Sequence, residues 1–221
     1  MIGRSTLSIL TMSFELELTI FIVSLILTTL FYLVWILYTP IHHFLYHRFT
    51  VRFYYRKVRK IVLDHDFYLI NTFQSRVVDS ETFHIDHIIV GDKYVYAIRD
   101  RYYPGTLISN PLDEEWTLYT GKKKVTQIPN PISVNRYRVE RLCLIAPIDR
   151  ELVIPIVLVN DDCYYNPFKQ SDEAGYFLSL KQLGAFIDIR EKEDIPSLDP
   201  VIAQSFANDL AKIKNRHDPQ D

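Results

Sequence analysis

Asp86, Arg99 and Arg101 are the residues of this 221-residue chain whose types and spacing could do chemistry. They lie in His84–Gly105, HIDHIIVGDKYVYAIRDRYYPG, where two apolar runs flank Gly91-Asp92. Gly-Asp between apolar runs predicts a two-residue hairpin turn, with Gly91 supplying the positive φ. If Val90 pairs with Lys93, Asp86 falls opposite Ala97. Side chains alternate along a strand, so Arg99 and Arg101 share the face of Asp86 and Asp100 points away. A carboxylate facing guanidiniums suits an ion pair or anion binding. Metal-assisted hydrolysis needs a second carboxylate, and a one-residue slip of register would supply Asp100.

The elements that must position these residues follow from punctuation and periodicity. Arg56–Leu63 predicts a helix, and Phe67–Phe73 with Arg76–Val78 supplies strands ahead of the hairpin. After Gly105 come a short strand over Thr106–Ile108, a turn at Asn110–Asp113, a strand over Trp116–Tyr119 with Trp116 in the core, and a Gly121–Lys124 tip leading to Val125–Ile128. Asn130 caps a helix that Pro131 opens and that runs to about Ile145, because Asn binds free amides and Pro fits the first turn. Ile132, Tyr137, Leu142 and Ile145 make its apolar side; Arg136, Glu140 and Arg141 make its polar one. Leu152–Val159 is apolar throughout, as in a strand buried on both faces, and Pro155 within it predicts a bulge or an edge. Ser179 and Gln182 form a capping-box pattern for a helix to about Ile189. Asp199-Pro200 opens a last helix with Ile202, Phe206, Leu210 and Ile213 on one stripe.

The hairpin resembles the core of the nuclease-related domain family (NERD), whose fold is restriction-endonuclease-like, of the PD-(D/E)XK kind. In that family Ile-Asp-His leads through a Gly-containing turn to Ile-Glu-x-Lys and a loop with a Gly. Ile85-Asp86-His87, Gly91, Ile98 and Gly105 match, while Arg99 stands at the Glu and Arg101 at the Lys. Asn130-Pro131-Ile132 resembles the family's Asn-Pro-x-x-Gln-Asn, with Val134 at the Gln and Asn135 retained. No acidic equivalent of the family's helical Gly-Glu can be placed in Arg56–Lys60. The resemblance, from about Tyr55 onward, implies an α/β (α+β) fold with a mixed central sheet flanked by helices. It marks Asp86, Arg99 and Arg101 as degenerate catalytic positions and Asn130, Asn135, Arg99 and Arg101 as binding positions. Mg²⁺ is implied only if hydrolysis survives; otherwise no metal or cofactor is.

Leu18–Tyr38 is 21 residues without a charge. At about 1.5 Å per residue it crosses the ~30 Å hydrocarbon layer, with Tyr32, Trp35 and Tyr38 suited to one interface. No Ala-x-Ala-type site follows, so it reads as an anchor rather than a cleaved signal. Glu15 and Glu17 precede it; Arg48, Arg52, Arg56, Lys57, Arg59 and Lys60 follow. Lys and Arg are retained on the cytoplasmic side. The expected order is therefore a short extracytoplasmic N-terminus (1–17), a membrane helix (18–38), a basic juxtamembrane connector (39–60) broken at Pro40, and a cytosolic NERD-like domain (61–221).

The connector interleaves Phe44, Tyr46, Phe49, Phe53 and Tyr54 with basic residues, which suits anionic lipid headgroups and, as an alternative, nucleic acid. His42, His43 and His47 lack carboxylate or thiol partners for a metal site. Net charge is −2, yet residues 1–60 hold seven Lys/Arg against two acids while the remainder holds eighteen against twenty-five. An acidic globular part is not that of a protein bound to nucleic acid by bulk charge. Cys143 and Cys163 have no disulfide or metal spacing and read as small apolar residues.

The sequence thus predicts a single-pass cell-membrane protein whose NERD-like domain is not catalytic and binds DNA, RNA or a protein. Two rivals are an active metal-dependent nuclease using Asp86 and a structural membrane component without nucleic-acid contact.

Overall fold

The computed structural model describes residues 3–77, 82–121, 124–146 and 148–217, and within them the side chains of all but 3–16, 39–40, 42–51 and 215–217. Glu15, Pro40, His42, His43, Phe44, Tyr46, His47, Arg48, Phe49, Val78, Lys122 and Lys123 lie outside the described side chains. The chain divides into two units, Met1–Arg48 and Phe49–Asp221. Helix α1 (Gly3–His65) contributes to both.

In the first unit, Glu17–Tyr38 is 22 residues, and an 18-residue stretch of it has a mean hydropathy of 2.6 with none of that stretch buried, long and apolar enough to cross a membrane. Thr28 and Thr29 turn their hydroxyls back onto the carbonyls of Ser24 and Leu25, at 2.8 and 2.7 Å, so neither presents a free donor to an apolar surround. The expected break at Pro40 is absent; the helix continues through it. Proline's fixed φ is the helical value, so its ring removes one hydrogen bond without forcing the chain to turn.

The second unit is built on a five-stranded mixed sheet in the order β1-β2-β3-β7-β9. Its strands are β1 (Tyr68–Arg76), β2 (Thr82–Val90), β3 (Val95–Arg101), β7 (Val153–Val159) and β9 (Tyr176–Ser179). β1, β2 and β3 are antiparallel neighbours, whereas β7 lies parallel to both β3 and β9. The second sheet runs β6-β5-β4-β8, from β4 (Thr106–Ile108), β5 (Glu115–Thr120), β6 (Lys124–Pro129) and β8 (Tyr164–Tyr165).

Helices α2 (Pro131–Ile145) and α4 (Pro200–His217) share one core with the sheet, joining Val139, Leu142, Phe206 and Leu210 to Phe73, Ile85 and Ile88. The end of α1 and α3 (Gln182–Arg190) share another, where Tyr54, Val58, Leu183 and Ile187 meet Ile89, Tyr96, Ile98 and Ile156. Buried aliphatic side chains of this kind contribute roughly 1.5–3 kcal/mol each. Trp116, fully buried in the second sheet's core with Phe177, donates its indole N–H to the Asn110 carbonyl at 2.8 Å.

Several expectations change here. Tyr54 and Val58, assigned by sequence to a connector, are both 0% exposed, so the compact unit starts upstream of residue 61. Their helical spacing with Ile61 and Val62 is masked in the sequence by intervening cations. Pro155 makes no bulge, for β7 pairs with β3 without interruption and is an interior strand. Pairing with β9 begins only at Ile156, so the missing N–H falls beyond the end of that ladder. On α2 the buried stripe is Ile132, Asn135, Val139 and Leu142. Tyr137 is exposed instead, its ring 4.4 Å from the Arg141 guanidinium. Asp199 Oδ1 accepts from Val201 N–H at 2.8 Å, which starts α4 as its sequence indicates. Of the expected capping box only the Gln182 half forms, its Oε1 accepting from Ser179 N–H at 2.8 Å, because α3 begins at Gln182 with Lys181 at its N-cap and without a side-chain cap bond.

Candidate functional site

The β2–β3 connection has four residues, not two: Val90 pairs with Val95, and Gly91 N–H donates to the Tyr94 carbonyl at 2.9 Å. The end of α3 causes the difference. Glu191 Oε2 accepts from Lys93 N–H at 2.9 Å and Glu193 Oε2 from the Tyr94 hydroxyl at 2.7 Å, drawing both residues into the loop. Gly91 has no positive φ; a Cβ there would displace the Glu191 carboxylate that holds the loop. Gly105 does have one, φ 145°, and a Cβ there would run into the Tyr119 carbonyl.

The two-residue shift preserves every side chain's face, so Arg99 and Arg101 share the side of Asp86 as expected. It also brings Arg99, not Ala97, across from Asp86, since Ile88 now pairs with Ala97. The antiparallel ladder ends at His87–Ile98, and the Asp86 carboxylate continues it: Oδ2 accepts from Asp100 N–H at 2.9 Å. Arg99 Nη1 donates to both carboxylate oxygens at 2.8 Å, and His84 Nε2 lies 2.9 Å from Oδ1. Burial pushes the Asp86 pKa up, but the His84 hydrogen bond, the Arg99 charge and the Asp100 amide together hold it below the usual carboxylate range. This aspartate is ionised and fully engaged.

β1 bends at the same point. Asn71 pairs with His87 and Phe73 with Ile85, while Thr72, across from Asp86, takes φ 54°. Ile70 and Phe73 consequently enter the same core although three residues apart, and so do Ile85 and Ile88. A β-branched residue in the left-handed region is strained, and such strain gathers at functional sites.

Asp100 faces the other side of the sheet, where its Oδ2 lies 2.9 Å from His87 Nε2 and Asn71 Oδ1 lies 2.6 Å from His87 Nδ1. His87 is 4% exposed, and Asp100 Oδ1 is buried without a partner among the described residues. Burial is the main cause that raises the Asp100 pKa above the ordinary carboxylate value. Asp100 thus points away from Asp86 as expected, and the alternative one-residue slip that would join them does not occur.

Asn130 and Asn135 are 0% and 1% exposed. Asn130 Oδ1 caps α2 through the amides of Ile132 and Ser133, and its Nδ2 donates to the carbonyls of Pro111 and Asp113. Asn135 Nδ2 donates to Ala97 O and Ile156 O, at 3.1 Å each, tying β3 to β7.

Two residues that the sequence reasoning missed complete the site. Thr72 carries no sequence signal, because its type opposes its conformation. Arg138 stands one helical turn beyond Asn135, and that i+3 spacing could have placed it beside the buried amide. It is half-buried. Burial first, then the Arg99 and Arg101 charges, push its pKa down to about 10, with Asp86 opposing. Among the described residues no group of three or more His, Cys, Asp or Glu side chains could hold a metal ion. Cys143 and Cys163 lie elsewhere; burial raises both thiols, that of Cys163 to about 12.

The site is thus a carboxylate at a strained sheet bend, bonded by Arg99 and set in a mixed α/β domain whose α2 is capped by Asn130. Residues 46–160, more than half of the chain, match the nuclease-related domain, and the protein belongs to that family, NERD. No curated protein and no solved structure is significantly similar to it.

Proposed function

We propose that this is a non-catalytic NERD protein, of restriction-endonuclease-like descent, which presents its domain at the cytoplasmic face of a membrane for recognition rather than hydrolysis. One observation carries the reading: both oxygens of Asp86 are bonded to the Arg99 guanidinium, across from the bend where a nuclease needs a second carboxylate. Mg²⁺ takes oxygen ligands, and a fixed cation within bonding distance of the sole facing carboxylate repels it. Arg99 and Arg101 cannot give up a proton to act as bases. The residues present do not suit the metal. Asp86, Asn130 and Asn135 serve the backbone in this reading, leaving the guanidiniums as the binding groups.

Membrane attachment rests on Glu17–Tyr38, and the cytoplasmic orientation on the excess of Lys and Arg after it. The exposed cations Arg56, Lys57, Arg59 and Lys60 of α1 favour anionic headgroups, each worth about 1 kcal/mol near such a surface.

The test is the full chain in detergent, incubated with single- and double-stranded DNA and with RNA in Mg²⁺ or Mn²⁺. No cleavage is expected. Divalent-dependent cleavage abolished by Asp86→Ala would refute the proposal.

A further inference from the structure

Arg138 is the side chain of this site that the Asp86 ion pair does not account for. Its Nη1 is buried and has no hydrogen-bond partner among the described residues, and the same is true of Arg99 Nε. A buried guanidinium nitrogen without an acceptor is costly, the more so with like charges beside it. Arg101 is spread between the Asp100 carbonyl, 3.2 Å from its Nη1, and the Tyr103 hydroxyl. The Arg101 charge acts on both Arg99 and Arg138, the Arg99 charge acts on Arg138, and the carboxylate of this face that opposes them at Arg99 and Arg138 is Asp86. Such an arrangement is stable when an anion completes it.

We infer that Arg99, Arg101 and Arg138 form a receptor for a phosphomonoester dianion, the terminal phosphate of a nucleotide or of an oligonucleotide end. The inference rests on the non-catalytic reading above. Charge selects the ligand: three cations less one carboxylate leave two positive charges, matching a monoester and exceeding the single charge of an internal diester. Exposure agrees, because Arg99, Arg101 and Arg138 are all only partly exposed, and a terminal phosphate offers partly buried donors more free oxygens than an internal diester does. The planar forks of guanidinium groups match the three free oxygens of a terminal phosphate.

The experiment uses the full chain in nanodiscs of neutral lipid and a short single-stranded oligonucleotide labelled at its 3′ end. The oligonucleotide carries either a 5′-phosphate or a 5′-hydroxyl, and binding is read by fluorescence anisotropy at fixed ionic strength. The phosphorylated form binds about tenfold tighter or more, and a nucleoside 5′-monophosphate displaces it while the unphosphorylated nucleoside does not. Arg138→Gln abolishes the preference and Arg138→Lys, which keeps the charge without the fork, retains part of it. Both variants keep the parent melting temperature within a degree or two. Equal binding of the two ends, which would mean diester recognition, overturns the inference. So does no binding of either, or an undiminished preference in Arg138→Gln. Cleavage of the labelled strand in the same samples would defeat the non-catalytic reading instead, so the two failures are separable.

Discussion

Replacing Asp86 with Asn removes the negative charge between three guanidiniums at almost no change in volume. The Asp86 and Arg99 side chains are 22% and 15% exposed, so their pair is neither a surface contact nor a deep one. Exposed pairs contribute about 0–1 kcal/mol, whereas breaking a deeply buried pair costs about 3–5 kcal/mol. Partial exposure puts the expected loss near 2 kcal/mol, a fall in melting temperature of about 4–8 °C for a domain of this size. The pH dependence is the sharper test. The folded-state pKa of Asp86 is depressed, so its contribution is complete above the unfolded-state value, about 3.9, and is lost as pH falls through the folded value. The gap between parent and variant should hold from neutral pH to about 5 and close below about 4. Asp100 slopes the other way: burial raises its folded value, so it favours the folded state when protonated and that contribution declines as pH rises through the raised value. Asp100→Asn should therefore cost less at pH 7 than at pH 4. Thermal unfolding of the full chain in mild detergent, followed by tryptophan fluorescence from pH 3 to 8, reads both. An Asp86→Asn protein as stable as the parent at pH 7, or a deficit undiminished at pH 3, would refute the electrostatic argument.

Arg99→Glu should place two carboxylates face to face, lower the melting temperature, and make it rise again in millimolar Mg²⁺ or Mn²⁺ while the parent does not respond; equal responses would mean that Arg99 is not what excludes the ion. Thr72→Gly relieves a non-glycine residue at φ 54°, and the gain of about 1 kcal/mol, less the added chain entropy, predicts a small rise in melting temperature. A fall would show that the threonine side chain contributes more than its strain costs. For topology, a cysteine placed at Ser5 should react with an impermeant thiol reagent on intact cells, and reaction only after lysis would reverse the assigned orientation.

What was legible in the sequence was whatever one residue type decides locally. Asn130-Pro131 and Asp199-Pro200 announce helices because the cap and the fixed φ are properties of those residues, and period-2 alternation puts Asp86 and Arg99 on one face for a loop of two residues or of four alike. The register was not legible, since it depends on Glu191 and Glu193, about a hundred residues downstream, reaching back to Lys93 and Tyr94. The helical face of Tyr54 and Val58 was hidden for a related reason: Arg52, Arg56, Lys57 and Arg59 between them dominate the composition, while burial follows spacing. Thr72 shows the limit most plainly. Its left-handed backbone is imposed by the bend of two strands and is opposed by its own side chain.

The positions that match the NERD pattern divide along a physical line. Asp86 extends the β2–β3 ladder through the Asp100 amide, His87 fills a buried slot between Asn71 and Asp100, Asn130 caps α2, and Asn135 staples β3 to β7. Each of these engages neighbouring backbone or buried polar groups and would be costly to lose whatever the domain does. Arg99, Arg101 and Val134 depart from the pattern, and they stand where the family has its Glu, Lys and Gln. Arg99 bonds the Asp86 carboxylate and Arg101 the Asp100 carbonyl, so the replaced side chains make contacts of their own in place of a metal site. A frame kept where the backbone depends on it and rewritten where a metal and a proton would be handled is the pattern on which the proposed non-catalytic reading rests.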